Sequence, residues 1–82
     1  MRSREISMEA ITKVLCEVLE MKGSGATPSD SHRSLGSEGY DLDSLDAATF
    51  SALLEREFGR DPYSEGVFPK TVEEVLKFYN SD

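Results

Sequence analysis

Ser44 stands among three aspartates in the stretch "GYDLDSLDAATF", residues 39–50, with Asp41 and Asp43 before it and Asp46 after it. A hydroxyl crowded by carboxylates suits few chemistries, and each makes its own demand on spacing. A calcium loop of the EF-hand kind would take Asp41 and Asp43 as its first two ligands. It fails at the later positions, because Leu45 occupies the next ligand position, Asp46 the required glycine and Ala52 the bidentate glutamate. Nucleophilic catalysis by serine needs a positioned base. The one histidine, His32, lies beside Arg33 in a Gly- and Ser-rich stretch with no orienting scaffold. Cys16 falls near Glu9 and Glu20, whose negative charge blunts it as a nucleophile. No catalytic constellation and no metal site emerges. Asp43 sits where a helix N-cap belongs and Asp46 in the same first turn, so capping alone accounts for both acids. It leaves Ser44 without a role. Covalent attachment of a phosphate-bearing group uses that hydroxyl, since a phosphodiester at a first helical turn meets free N–H groups and the positive end of the helix dipole.

The elements that position this stretch follow from periodicity. Ile11, Val14, Leu15, Val18 and Leu19 recur at the spacing of one apolar helix face, with Glu9, Lys13, Glu17 and Glu20 turned away. This predicts a first helix over residues 5–21, closed by the glycines of "KGSG". Residues 23–41 then read as a long loop, pinned by Leu35, Tyr40 and Leu42; loops of such length in small domains are usually functional or mobile. A second helix runs from the quoted stretch to Phe58, with Leu45, Phe50, Leu54 and Phe58 as its apolar face. "GRDPYSEG" predicts one helical turn, with Asp61 as N-cap, Pro62 at the first helical position and Gly66 as terminator. "VFP" reads as an extended connector whose Phe68 plugs the core. The last helix opens with Thr71 and Glu74 as a capping box and buries Val72, Val75, Leu76 and Tyr79. No segment alternates with the two-residue period of a half-buried strand. The expected fold is all-α: a small bundle of three main helices plus one short helix, with a long first loop.

Eighty-two residues suffice for one small domain, and a lone cysteine leaves packing to hold it together. A single domain over 1–82 is expected, monomeric and soluble in a reducing, cytoplasmic setting, without a signal or membrane-spanning run. The formal charge is -7, and its centre lies in residues 30–58, where seven acids face only Arg33 and Arg56. Such a field repels nucleic acid and anionic lipid, which bind through Lys and Arg on phosphate. Basic protein partners are implied.

"LDSLDAATFSALLEREFG", residues 42–59, resembles the modification motif and second helix of acyl and peptidyl carrier proteins. The resemblance extends over nearly the whole chain, through an amphipathic first helix, a long loop, Asp-Ser-Leu at the second helix, a short third helix and "TVEEVLKFY" at the close. It implies that a phosphopantetheinyl transferase attaches phosphopantetheine from coenzyme A to Ser44 in a magnesium-dependent reaction. The arm's thiol then carries acyl or aminoacyl groups as thioesters to loading and downstream biosynthetic enzymes with basic docking patches. The chain is thus expected to be a non-catalytic substrate of the transferase, meeting its partners through a short transient interface. By position, the resemblance assigns partner recognition to Asp43, Leu45, Asp46, Ala48, Thr49, Ala52, Glu55 and Arg56. Fatty-acid carriers usually have a more acidic face here with a larger apolar contact, whereas this chain has Thr49, Ala52 and Arg56. Many relatives have glycine where it has Asp41. These departures favour a specialised pathway, such as polyketide or nonribosomal peptide assembly, over fatty-acid synthesis. Phe50, Leu54, Phe68, Val72 and Leu76 are read as core. A reading of another class is a small acidic helical interaction module without cofactor. A helix-turn-helix nucleic-acid binder is set aside, because the second helix offers only Arg56 as a cation.

Overall fold

The computed structural model describes residues 6–25, 28 and 30–80. Three α-helices and one short 3-10 turn appear in it: α1 (Met8–Met21), α2 (Ser44–Phe58), the turn Tyr63–Glu65, and α3 (Val72–Asn80). The all-α bundle is as the periodicity predicts, and among the described residues the only strand-like pairing is one antiparallel bridge between Ser34 and Thr71.

The first helix starts later than its apolar pattern suggests because Ser7 caps it, accepting from the Ala10 N–H at 3.1 Å. Residue 5, the expected start, lies outside the described residues. At the other end Gly23, at φ 76°, lets the Ser24 N–H reach Leu19 O at 2.9 Å and the Gly23 N–H reach Glu20 O at 3.1 Å. This is a Schellman closure, and it leaves Lys22 as the C-cap. The stripe Ile11, Val14, Leu15, Val18 and Leu19 is buried, and α1 packs against both α2 and α3.

The α2 face that meets this stripe consists of Phe50, Leu53 and Leu54, with Phe58 half-buried. Leu45 does not join it and is 77% exposed. Five residues from Phe50 is about 140° around the helix axis at 3.6 residues per turn, which carries Leu45 to the solvent side. From α3, Val72 and Val75 are buried, while Leu76 and Tyr79 pack half-buried against the same core. The expected capping box of α3 is half realised. Thr71 Oγ1 accepts from the Glu74 N–H at 3.2 Å, but the Glu74 carboxylate accepts from the Lys70 N–H, one residue upstream.

Phe68 does not plug the core; it is 70% exposed. The connector turns Pro69 inward and Phe68 outward, and Tyr63 packs half-buried against the core, its ring centroid 6.4 Å from that of Phe50 and 6.1 Å from that of Phe68 in edge-on geometry. Among the described residues no helix is long and apolar enough to cross a membrane.

One carboxylate lies inside. Asp61 is 1% exposed and accepts from Ser51 Oγ at 2.7 Å, Ser64 Oγ at 2.7 Å and the Ser64 N–H at 3.0 Å, joining α2 to the 3-10 turn, whose N-cap position is held by Pro62 and not, as expected, by Asp61. Burial alone would push its carboxyl up, but the Ser51 and Ser64 hydroxyls and the N–H groups of Ser64 and Tyr63 outweigh burial and hold it below the usual range. Its contribution to stability is therefore complete above the unfolded pKa of about 4 and is lost as the pH falls through the lower folded value. Asp61→Ala, which removes the shared acceptor of two part-buried hydroxyls and an N–H group, is expected to destabilise the fold by about 1–3 kcal/mol. Urea denaturation at neutral pH measures this loss, and repeating it below pH 4 should shrink the gap between variant and wild type.

Candidate functional site

The start of α2 is assembled from three elements. Asp43 is the N-cap, with Oδ1 accepting from the Asp46 N–H at 2.9 Å, and Asp46 Oδ2 accepts from the Asp43 N–H at 3.1 Å. This reciprocal box uses two aspartates where serine and glutamate are the common choice. It also places Ser44, exposed, as the first helical residue. The leading N–H groups of a helix have no intrahelical acceptor, so Ser44 and Leu45 present theirs at its positive end.

The preceding loop is more ordered than its composition suggests. Ser34, Leu35 and Gly36 carbonyls accept from Tyr40, Leu42 and Asp41 at 2.8, 2.9 and 2.8 Å, folding residues 34–42 back on themselves. Gly39 permits this, since a Cβ there would stand 2.0 Å from the Ser34 carbonyl oxygen. Leu35 and Tyr40 are buried, and the Tyr40 hydroxyl donates to Asp30 O at 3.0 Å. The Leu35 N–H donates to Lys70 O at 2.8 Å and the Glu73 N–H to Ser31 O at 3.1 Å, fastening the loop to the start of α3. Asp41 adopts φ 61°, the left-handed region that glycine enters freely and aspartate tolerates better than most residues. The third element is the end of α1. Lys22 Nζ lies 3.2 Å from Asp46 Oδ2 and also donates to the Asp41 carbonyl.

The three aspartates are thus not equivalent. The Asp43 N–H holds the Asp46 carboxyl below the usual range against partial desolvation, and Lys22 reinforces this. Asp43 turns its carboxylate onto the helix, and Asp41 is exposed. Of the residues assigned to partner recognition, Leu45, Ala48, Ala52, Glu55 and Arg56 are exposed along α2. Thr49 folds its hydroxyl onto Leu45 O at 3.1 Å, and Arg56 pairs with Glu17 at 3.7 Å and Glu57 at 3.6 Å. His32 pairs with Glu73 of α3 at 3.1 Å, and Cys16 sits half-buried with its sulfur 4.0 Å from Glu20 Oε2. Among the described residues no group of His, Cys, Asp and Glu is arranged to hold a metal. Between Leu42 and Ala47, the residues flanking the Ser44 turn, and Leu35, Gly36, Tyr63 and Pro69 lies a cleft of about 190 Å³.

A family described as "Phosphopantetheine attachment site" matches residues 9–77. The chain belongs to that family. Its members are non-catalytic carriers of a covalently attached phosphopantetheine arm, and they meet phosphopantetheinyl transferases and biosynthetic enzymes in general. No curated protein and no solved structure matches the chain significantly. The geometry fits such an arm, with an exposed hydroxyl at a capped helix start and two of the three nearby carboxylates committed to N–H or ammonium groups.

Sequence reasoning missed Lys22, Gly39 and the second half of the capping box. Only the box had a local signal, the i, i+3 spacing of Asp43 and Asp46. The backbone at Asp41 accounts for the glycine that many carriers have there, so Asp41→Gly should leave stability within about 0.5 kcal/mol while Asp41→Val loses about 1–2 kcal/mol. Gly39→Ala, with nowhere to put its methyl, should lose about 2–3 kcal/mol. Thermal or urea unfolding of the three variants ranks them.

Proposed function

We propose that Ser44 is the residue that bears the phosphopantetheine arm and that residues 1–82 act as one discrete carrier domain. The observation that carries this reading is Ser44's position as the exposed first residue of a doubly capped α-helix inside the family match. Three other serines in the span have structural work: Ser51 and Ser64 donate to buried Asp61, and Ser34 Oγ accepts from the Gly36 N–H. The residues around Ser44 leave it exposed and open to an enzyme. When bound, the arm supplies a thiol that holds acyl or aminoacyl intermediates as thioesters.

A phosphopantetheinyl transferase is the first partner on this reading. Loading and downstream enzymes come after it, docking basic patches on Asp43, Leu45, Asp46, Ala48, Thr49, Ala52, Glu55 and Arg56. Leu45 gives such a patch an exposed apolar contact one residue from the attachment point. Ala48 and Ala52 let a partner approach the α2 backbone, and Arg56 tempers the acidity at the far end. That small and partly neutralised face favours a specialised pathway, polyketide or nonribosomal peptide assembly among them, over fatty-acid synthesis. A cytoplasmic monomer suits this role.

The test is intact-mass measurement after incubation with coenzyme A and a broad-specificity transferase. Wild type should gain one phosphopantetheine, and Ser44→Ala none. Absence of any mass gain across several transferases would sink the proposal, and partner binding that survives Ser44→Ala without an arm would favour a plain interaction module.

A further inference from the structure

Lys22 has no part in the motif around Ser44, yet its ammonium group reaches both flanks of it. Its two acceptors are Asp46 Oδ2, at 3.2 Å, and the Asp41 carbonyl, on either side of Ser44 in the chain. The pair is partly shielded, with the Lys22 and Asp46 side chains 21% and 16% exposed. Lys22 is itself held as the C-cap of α1 by the Schellman closure at Gly23. One cation therefore ties the left-handed turn at Asp41 and the first turn of α2 to the end of the most buried helix.

We propose that Lys22 is a positioning residue for modification at Ser44, fixing the direction of its hydroxyl by tying down the chain on both sides of it. The inference rests on Ser44 being the attachment residue. In that reaction the bond from Ser44 Oγ to phosphorus forms as a pyrophosphate P–O bond of coenzyme A breaks; adenosine bisphosphate leaves, and the hydroxyl proton passes to a base of the transferase or to solvent. Lys22 touches none of the reacting atoms. It acts by holding both flanks of the four-residue segment from Leu42 to Leu45, so that little orientational freedom remains to be lost when the transferase docks. Desolvation of this partly shielded pair offsets much of its attraction, so its signature is read in the rate of modification, separately from unfolding.

The experiment uses the full chain, coenzyme A and a transferase that modifies wild type, with initial rates followed by intact mass. Lys22→Met should lower kcat about tenfold with KM changed less than about twofold, because the docking face is intact and only the hydroxyl is misdirected. A carrier that is merely less folded is a less abundant substrate, which raises KM and leaves kcat alone. Lys22→Arg, whose guanidinium can reach both acceptors, should return kcat to within about twofold of wild type. Asp46→Asn keeps an oxygen for the Asp43 N–H but breaks the ion pair. It should slow modification by itself and add little to Lys22→Met, the non-additivity expected of two residues in one contact. A wild-type kcat for Lys22→Met, a loss confined to KM, or no rescue by arginine overturns the proposal while leaving Ser44 as the attachment residue. Failure of wild type to be modified by any transferase overturns both readings.

Discussion

The apolar stripe of α1 is the surface on which the other elements are built. Ile11, Leu15, Val18 and Leu19 are withdrawn from water almost completely, and α2 and α3 each pack on that one helix. A chain of this size without a disulfide has little reserve, since a small domain buries a lower fraction of its surface than a large one. The arrangement concentrates its apolar residues accordingly: Phe50 and Leu54 from α2, Val72 and Val75 from α3, and Leu35 and Tyr40 from the loop converge on one cluster. The far ends are closed by polar contacts. The Asn80 side chain exchanges two hydrogen bonds with the backbone of Ile6, and the Tyr79 hydroxyl donates to Arg60 O at 2.7 Å.

The polar features then decide direction. Asp61 stitches α2 to the 3-10 turn, and the Ser34–Thr71 bridge stitches the loop to the start of α3. Both leave the start of α2 facing water with its serine uncovered. Acidic residues that look like a uniform negative field in the chain divide into three separate jobs once folded. Asp43 and Asp46 satisfy helix N–H groups, Asp46 also holds Lys22, and Asp41 occupies a backbone turn.

Helices and the motif at Ser44 are legible because they are written in local spacing: a 3.6-residue stripe, a cap before an apolar run, a proline-led turn. What stays hidden depends on contacts between distant residues. Hydrophobicity alone assigns Phe68 to the core, but whether Phe68 or Tyr63 faces inward is settled by the path of the chain between Gly66 and Pro69. The same criterion counts Leu45 with the apolar face, although its angular distance from Phe50 argues against that. Lys22 cannot be found from the motif, because nineteen residues and a loop separate it from Asp41. Gly39 is one turn-forming residue among many; only the approach of the Ser34 carbonyl singles it out.

The chain has three tyrosines and no tryptophan, and each tyrosine sits at a different seam. Tyr40 locks the loop through Asp30, Tyr63 lies edge-on between Phe50 and Phe68, and Tyr79 packs edge-on against Phe58 while bonding to Arg60. Burial pushes the Tyr63 and Tyr79 phenols above their ordinary ionisation range, and the negative charge of Asp61 adds to it. Intrinsic ultraviolet absorbance and emission of the chain therefore come mainly from tyrosines placed one per junction, so a loosened seam changes the surroundings of one ring and leaves the other two as they were.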